Sequence, residues 1–163
     1  NGEGLLLLPP VPLKLFLKLQ LNGVKPMTFL EKVEKTEDIK DCLEPGLQAL
    51  TEQYKNKIQA KNPRKINGSI FLEECLDGAI WDYIVGYNDE TFSVEIHPAE
   101  TSEVKTVLNK LRWLKQWKRN TFFKEDNNFY WLPSNGINIL KRSRYWRQIH
   151  DQGLKVKKIL ILE

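Results

Sequence analysis

Between Trp81 and Pro98 the chain alternates apolar and polar side chains on either side of a short polar break, Asn88-Asp89-Glu90. Strand side chains point to opposite faces with period two, so the pattern reads as a two-stranded hairpin. Tyr83, Val85, Tyr87, Phe92, Val94 and Ile96 then form one continuous apolar face, and Asp82, Glu95 and His97 share the other. A two-residue Asn88-Asp89 loop places Asp82 opposite Glu95, whereas a four-residue loop places it opposite His97. Either register keeps the three polar residues together. Pro98 cannot donate to a sheet ladder and is expected to end the second strand.

Two carboxylates about 5 Å apart across a strand pair repel one another and need a shared proton, a cation or a metal to relieve them. A hard divalent ion such as Mg²⁺ does this with oxygen ligands and retained waters, and one such water can be activated to attack a phosphodiester. His97 can orient a water or ligate a softer ion such as Mn²⁺. The same spacing also describes a solvated polar strand face with both acids in water.

The rest of the chain supplies elements to cover that hairpin. Phe29, Val33, Ile39, Leu43, Leu47, Leu50, Tyr54 and Ile58 recur at three- and four-residue steps, which predicts two helices between residues 28 and 62, divided at Pro45-Gly46. Residues 69–72 read as a short strand after the Asn67-Gly68 turn. After the hairpin, Thr101 or Ser102 is expected to cap a helix with the buried stripe Val104, Val107, Leu108, Leu111 and Leu114, ending near Asn120. Residues 129–132 and 137–140 read as strands around Ser134-Asn135-Gly136. A basic helix follows over residues 143–151, stopped at Gly153, with a last strand over 156–162. The expectation is a mixed α/β fold around one sheet. A length of 163 residues suits one core.

Residues 1–26 differ in character, with Leu5 to Leu8 running into three prolines and then leucines alternating with polar residues. They are expected to be an upstream-derived N-terminal extension ahead of a single domain over 27–163 that starts at Met27, the only methionine. Prolines and lysines interrupt every apolar span, so no membrane segment is expected. Cys42 and Cys75 lie far apart without metal-ligand spacing, which predicts neither a zinc site nor a disulfide framework, and a reduced cytoplasmic setting. Phosphate-binding glycine loops, nucleophile elbows and HExxH zinc motifs are absent from the sequence.

Charge is unevenly distributed. Residues 105–163 carry 14 Lys and Arg against 4 Asp and Glu, while the remainder is acidic. Such asymmetry is the electrostatic footprint of a polyanionic partner. Lys110, Arg112, Lys115, Lys118 and Arg119 interleave with Trp113 and Trp117, and Arg142, Arg144 and Arg147 repeat the theme beside Tyr145 and Trp146. Arginine can hold phosphate bidentately and exposed aromatics can stack on unpaired bases, so these residues are the candidate nucleic-acid contacts. A solvated basic helix face is the simpler reading of the same residues.

The stretch from Trp81 to His97, with Asp82 and Glu95 at corresponding hairpin positions, resembles the core hairpin of the PD-(D/E)xK, or restriction-endonuclease-like, nuclease superfamily. That resemblance covers about half the chain and implies an α-β-β-β-α-β core, a central mixed sheet flanked by helices. It further implies DNA phosphodiester hydrolysis with Mg²⁺ or Mn²⁺ held by Asp82 and Glu95, and allows Glu52, on the preceding helix, as another acidic residue of the site. Trp81 stands where the family often has proline, and His97 stands where its catalytic lysine belongs. Lys105 or Lys110, on the next helix, can supply that charge instead. Glu73 or Asp77 can lie near the same face, and Glu100 and Glu103 read as surface or capping residues. Two functions follow: a homodimeric nuclease acting on DNA, or a catalytically inactive module of the same fold that binds nucleic acid or a protein.

Overall fold

The computed structural model describes residues 25–163, and the expected extension lies almost wholly outside them. Its centre is a five-stranded mixed sheet in the order β2 (Ile66–Phe71), β3 (Tyr83–Tyr87), β4 (Glu90–Glu100), β5 (Asn128–Asn138) and β6 (Leu154–Val156). The first three strands form an antiparallel meander, and β5 and β6 join parallel to β4. A second sheet pairs β1 (Ile58–Ala60) with β7 (Leu160–Leu162) in parallel. Helices α1 (Phe29–Glu34), α2 (Leu72–Cys75), α3 (Val104–Arg119) and α4 (Arg144–Asp151) complete the mixed α/β architecture. Among the described residues no helix is long and apolar enough to cross a membrane.

The hairpin turn is the two-residue form. Asn88 and Asp89 both adopt positive φ, 49° and 63°, the pair of left-handed conformations that a type I′ turn needs and that Asn and Asp tolerate. Asp89 then secures the turn, its carboxylate accepting from Phe29 N (3.2 Å) and Asn67 Nδ2 (3.2 Å). Gly86 opens space for α1, because a Cβ there would collide with the Phe29 ring.

Each face of the large sheet carries its own core. On one face Tyr83, Val85, Tyr87, Val94 and Ile96 pack with Leu50, Ile58, Tyr130, Leu132, Leu160 and Leu162. On the other, Ile84, Trp81, Phe129 and Trp131 pack under α3 and α1 through Val107, Leu111, Leu114, Phe29 and Val33. This division explains why the two helices expected over residues 28–62 do not form. Phe29, Val33 and Ile39 belong to one core, and Leu50 and Ile58 to the other, so this segment must wrap from face to face. It does so through a six-residue α1, a series of turns and a 3-10 segment Glu52–Lys57 before β1. Thr36 marks the break after α1, its hydroxyl bonding back to Lys32 O (2.7 Å).

Three other boundaries also move. β4 runs through Pro98 to Glu100, because β3 pairs no further than Val94 on that side and no ladder bond is asked of the proline. The residues Ser134-Asn135-Gly136 do not separate two strands; they lie within β5, where the β4 partner changes from His97↔Pro133 to Ala99↔Ile137. The single C-terminal strand divides into β6 and β7, which serve different sheets. A 3-10 turn, Thr101–Glu103, leads into α3 without the expected side-chain cap.

Cys42 and Cys75 are bonded, with Cα atoms 5.9 Å apart, contrary to the expectation of free thiols. A separation of 33 residues leaves no spacing signal, and the wrapped segment brings Cys42 to the end of α2.

Candidate active site

The register places the two acids side by side. Tyr83 pairs with Val94, so Asp82 and Glu95 are the next facing positions, at the mouth of β3 and the middle of the central strand β4. They also bond reciprocally: Asp82 N–H donates to Glu95 Oε1 (3.2 Å), and Ile96 N–H to Asp82 Oδ2 (2.8 Å). Their face is roofed by α3, which leaves Glu95 fully buried and Asp82 half-buried. A solvated strand face is therefore not what the sequence encodes here.

A buried carboxylate requires partners. Lys110, two turns into α3, places Nζ 2.7 Å from Glu95 Oε2 and 3.4 Å from Glu73 Oε1. Burial alone would lower its pKa, but the charge and hydrogen bond of Glu95, with Asp82 and Glu73, raise it, so Lys110 is a fixed cation. Glu73 reaches this point because α2 begins beside the hairpin, Leu72 N–H donating to Asp82 O (2.7 Å). Lys105 is exposed.

His97, on the same strand as Glu95, sits between two carboxylates. Its Nδ1 lies 3.5 Å from Glu95 Oε2 and its Nε2 2.8 Å from Glu103 Oε2. With a carboxylate on each ring nitrogen the imidazolium is favoured. Glu95 first, and Glu103 against the opposing effect of burial, raise its pKa. In its protonated form the ring has no lone pair for a metal or a proton and stands as a second cation beside Glu95. Glu103, at the N-cap position of α3, makes no side-chain cap bond and joins this cluster instead.

Asp82 differs from Glu95. Burial first, then the Glu95 charge, push its carboxyl up to about 7, and the Ile96 N–H and Lys110 only partly oppose this. Near neutral pH it is poised between neutral and charged forms.

Glu52 is not brought to this cluster. Its side chain is 89% exposed and pairs with Lys55 (2.8 Å), and Thr51 beside it bonds Tyr83 Oη (3.4 Å) on the opposite sheet face. Asp77 is exposed.

The basic residues also separate. Arg112, Arg119, Arg142, Arg144 and Arg147 are exposed. Lys110 instead serves the acids, and Lys115 donates to Gln152 O (2.7 Å). Lys118 is buried, donating to Asp126 O above the Phe129 ring; burial lowers its pKa to about 8. Trp113 and Trp117 stack on each other (6.3 Å, 3°) and pack against the core, and Trp117 also stacks on Phe123, so they are packing residues rather than open platforms.

A divalent cation can be tested against these donors. Among the described residues no group of three or more His, Cys, Asp and Glu side chains is placed to hold a metal ion. Mg²⁺, however, commonly takes only one or two carboxylates and fills its remaining positions with water and phosphate oxygens. The Asp82–Glu95 pair fits that pattern: both are oxygen donors, and Asp82 lacks sufficient positive charge nearby to ionise fully. Comparison with protein-family models, with curated proteins and with solved structures gives no match.

Proposed function

We propose that this chain is a metal-dependent nuclease-like protein that hydrolyses DNA phosphodiester bonds, built on a restriction-endonuclease-like core. The observation that carries the reading is Lys110 Nζ, 2.7 Å from Glu95 and fixed as a cation beside the Asp82–Glu95 pair. It supplies from α3 the lysine ammonium that the resemblance would place at the position of His97. The order β2, β3, β4, α3, β5 supports the same reading, since Asp82 stands at the entry to β3, Glu95 on β4 and the lysine on the following helix.

In this proposal Asp82 and Glu95 hold Mg²⁺ or Mn²⁺, which when bound would activate a water and neutralise charge on the phosphate. Lys110 holds the scissile phosphate or the attacking oxygen by charge and hydrogen bond. His97, locked between Glu95 and Glu103, orients the Glu95 carboxylate. The exposed arginines at 112, 119, 142, 144 and 147 supply sequence-independent affinity for the DNA backbone. A homodimer would let two such sites address both strands. A cytoplasmic location belongs to the proposal too, and the Cys42–Cys75 bond, rare in that compartment, stands against it; thiol trapping in intact cells decides the point.

The test is incubation with plasmid, single-stranded and branched DNA, in Mn²⁺ or in EDTA. Metal-dependent cutting that is lost in Asp82→Ala and Glu95→Ala is expected; wild-type protein that leaves every substrate intact refutes the reading. One observation favours a catalytically inactive binding module: Glu95 is already neutralised by Lys110 and His97 without any metal. DNA binding that survives both substitutions without cleavage would select it.

A further inference from the structure

Lys110 Nζ lies between two carboxylates of different character. Glu95, at 2.7 Å, is wholly buried on the central strand, whereas Glu73, at 3.4 Å, is 38% exposed on α2. A divalent cation that took Glu95 as ligand would compete with the ammonium for that carboxylate, and the two cations would repel. If Lys110 had no second partner, entry of the ion would leave a half-buried ammonium without a counter-charge, at a cost that weakens ion binding. Glu73 provides that partner within a shift of the lysine's terminal carbons. Its position is fixed by two bonds that do not involve Lys110: Leu72 N–H is bonded to Asp82 O, and Cys75, two residues beyond Glu73, is bonded to Cys42.

We propose that Glu73 is a positioning residue that receives the Lys110 ammonium when a divalent cation occupies Glu95, so that the lysine stays charged at the edge of the site where a phosphate would be held. The inference rests on the cation-binding reading above. It differs from a ligand role for Glu73, because the carboxylate acts through Lys110 and not on the ion.

The two roles separate in a double-mutant cycle read by calorimetric titration of Mn²⁺ alone into the full chain, without DNA. Glu73→Gln is expected to weaken Mn²⁺ binding roughly three- to tenfold, the scale of a half-exposed charge pair. Lys110→Met removes the competing ammonium and is expected to tighten it. In the Lys110→Met background, adding Glu73→Gln is expected to change the affinity less than twofold. An equal loss in both backgrounds means that Glu73 acts on the ion directly and overturns the proposal, as does no loss in either. Absence of Mn²⁺ binding by the wild type would instead refute the cation site itself.

Because Lys110→Met strips a partner from buried Glu95, a structure of the wild-type protein with Mg²⁺ gives an independent reading. Lys110 Nζ bonded to Glu73 and more than about 4 Å from Glu95 is expected. Lys110 still on Glu95 with the ion in place overturns the proposal.

Discussion

Helix α3 carries two lysines with opposite fates. Lys110 faces Glu95, Asp82 and Glu73 and its pKa is raised; Lys118, two turns further on, lies over Phe129 with a carbonyl for partner and falls to about 8. Burial pushes both downward, so the difference lies in the carboxylates. One end of the helix thus joins a buried cluster of opposite charges, and the other uses a lysine as packing. Sequence charge alone weights the two residues equally, and the contacts show why that is wrong.

The largest effect expected from this contrast is on cleavage. Lys110→Ala should lower the rate of plasmid cutting by about 10²–10³-fold, the scale of losing a preorganised charge at a reacting phosphate, while Lys118→Met should leave it within about twofold. A common loss in both variants, measured under single-turnover conditions, would erase the distinction between the two ends.

Stability against pH sharpens it next. Asp82 has a folded pKa near 7, above its unfolded value of 3.8. Its contribution is full below pH 4 and is lost as pH rises through 7. Asp82→Asn should therefore gain about 1–4 kcal/mol relative to wild type at pH 8 compared with pH 4, by urea denaturation at both pH values. Lys118 runs the other way. Its folded pKa of about 8 lies below the unfolded 10.5, so it costs stability at neutral pH, and this cost is relieved as pH rises from 8 to 10.5. Lys118→Met should flatten that rise and change stability at pH 7 by about 1 kcal/mol or less. A steeper rise in the variant would contradict the assignment.

The smallest expected effect concerns the exposed arginines. Alanine at Arg112, Arg119, Arg142 or Arg147 should each weaken DNA binding whatever its sequence and reduce the salt-dependence slope by about one, by fluorescence anisotropy at several salt concentrations. Lys118→Met should change neither. An unchanged slope for all four arginines would remove the proposed DNA surface.

The hairpin was legible in the sequence because its determinants are local. Period-two alternation is enough to specify the shared face of Asp82 and Glu95, while the choice between a two- and a four-residue loop is made only by the structure, in the turn at Asn88 and Asp89. Helix α3 was readable for the same reason, and Lys110 stood out as one of two lysines able to reach the acids. Residues 28–62 were not legible, because their apolar spacing suits a helix while their contacts divide between two cores. The partnerships of Glu73 with Lys110 and of Glu103 with His97 likewise depend on how α2 and α3 dock, and no spacing rule encodes that. Pro98 misled because proline ends a strand only where a neighbouring strand asks for its N–H.

The Asp82–Glu95 pair, guarded by Lys110, is the proposed cation site. Titration of Mn²⁺ into the wild type and into Glu95→Gln, followed by heat, tests this most directly. Saturable binding near one ion per chain, lost in Glu95→Gln, is the predicted result; no binding by the wild type, or the same binding by both, would contradict it.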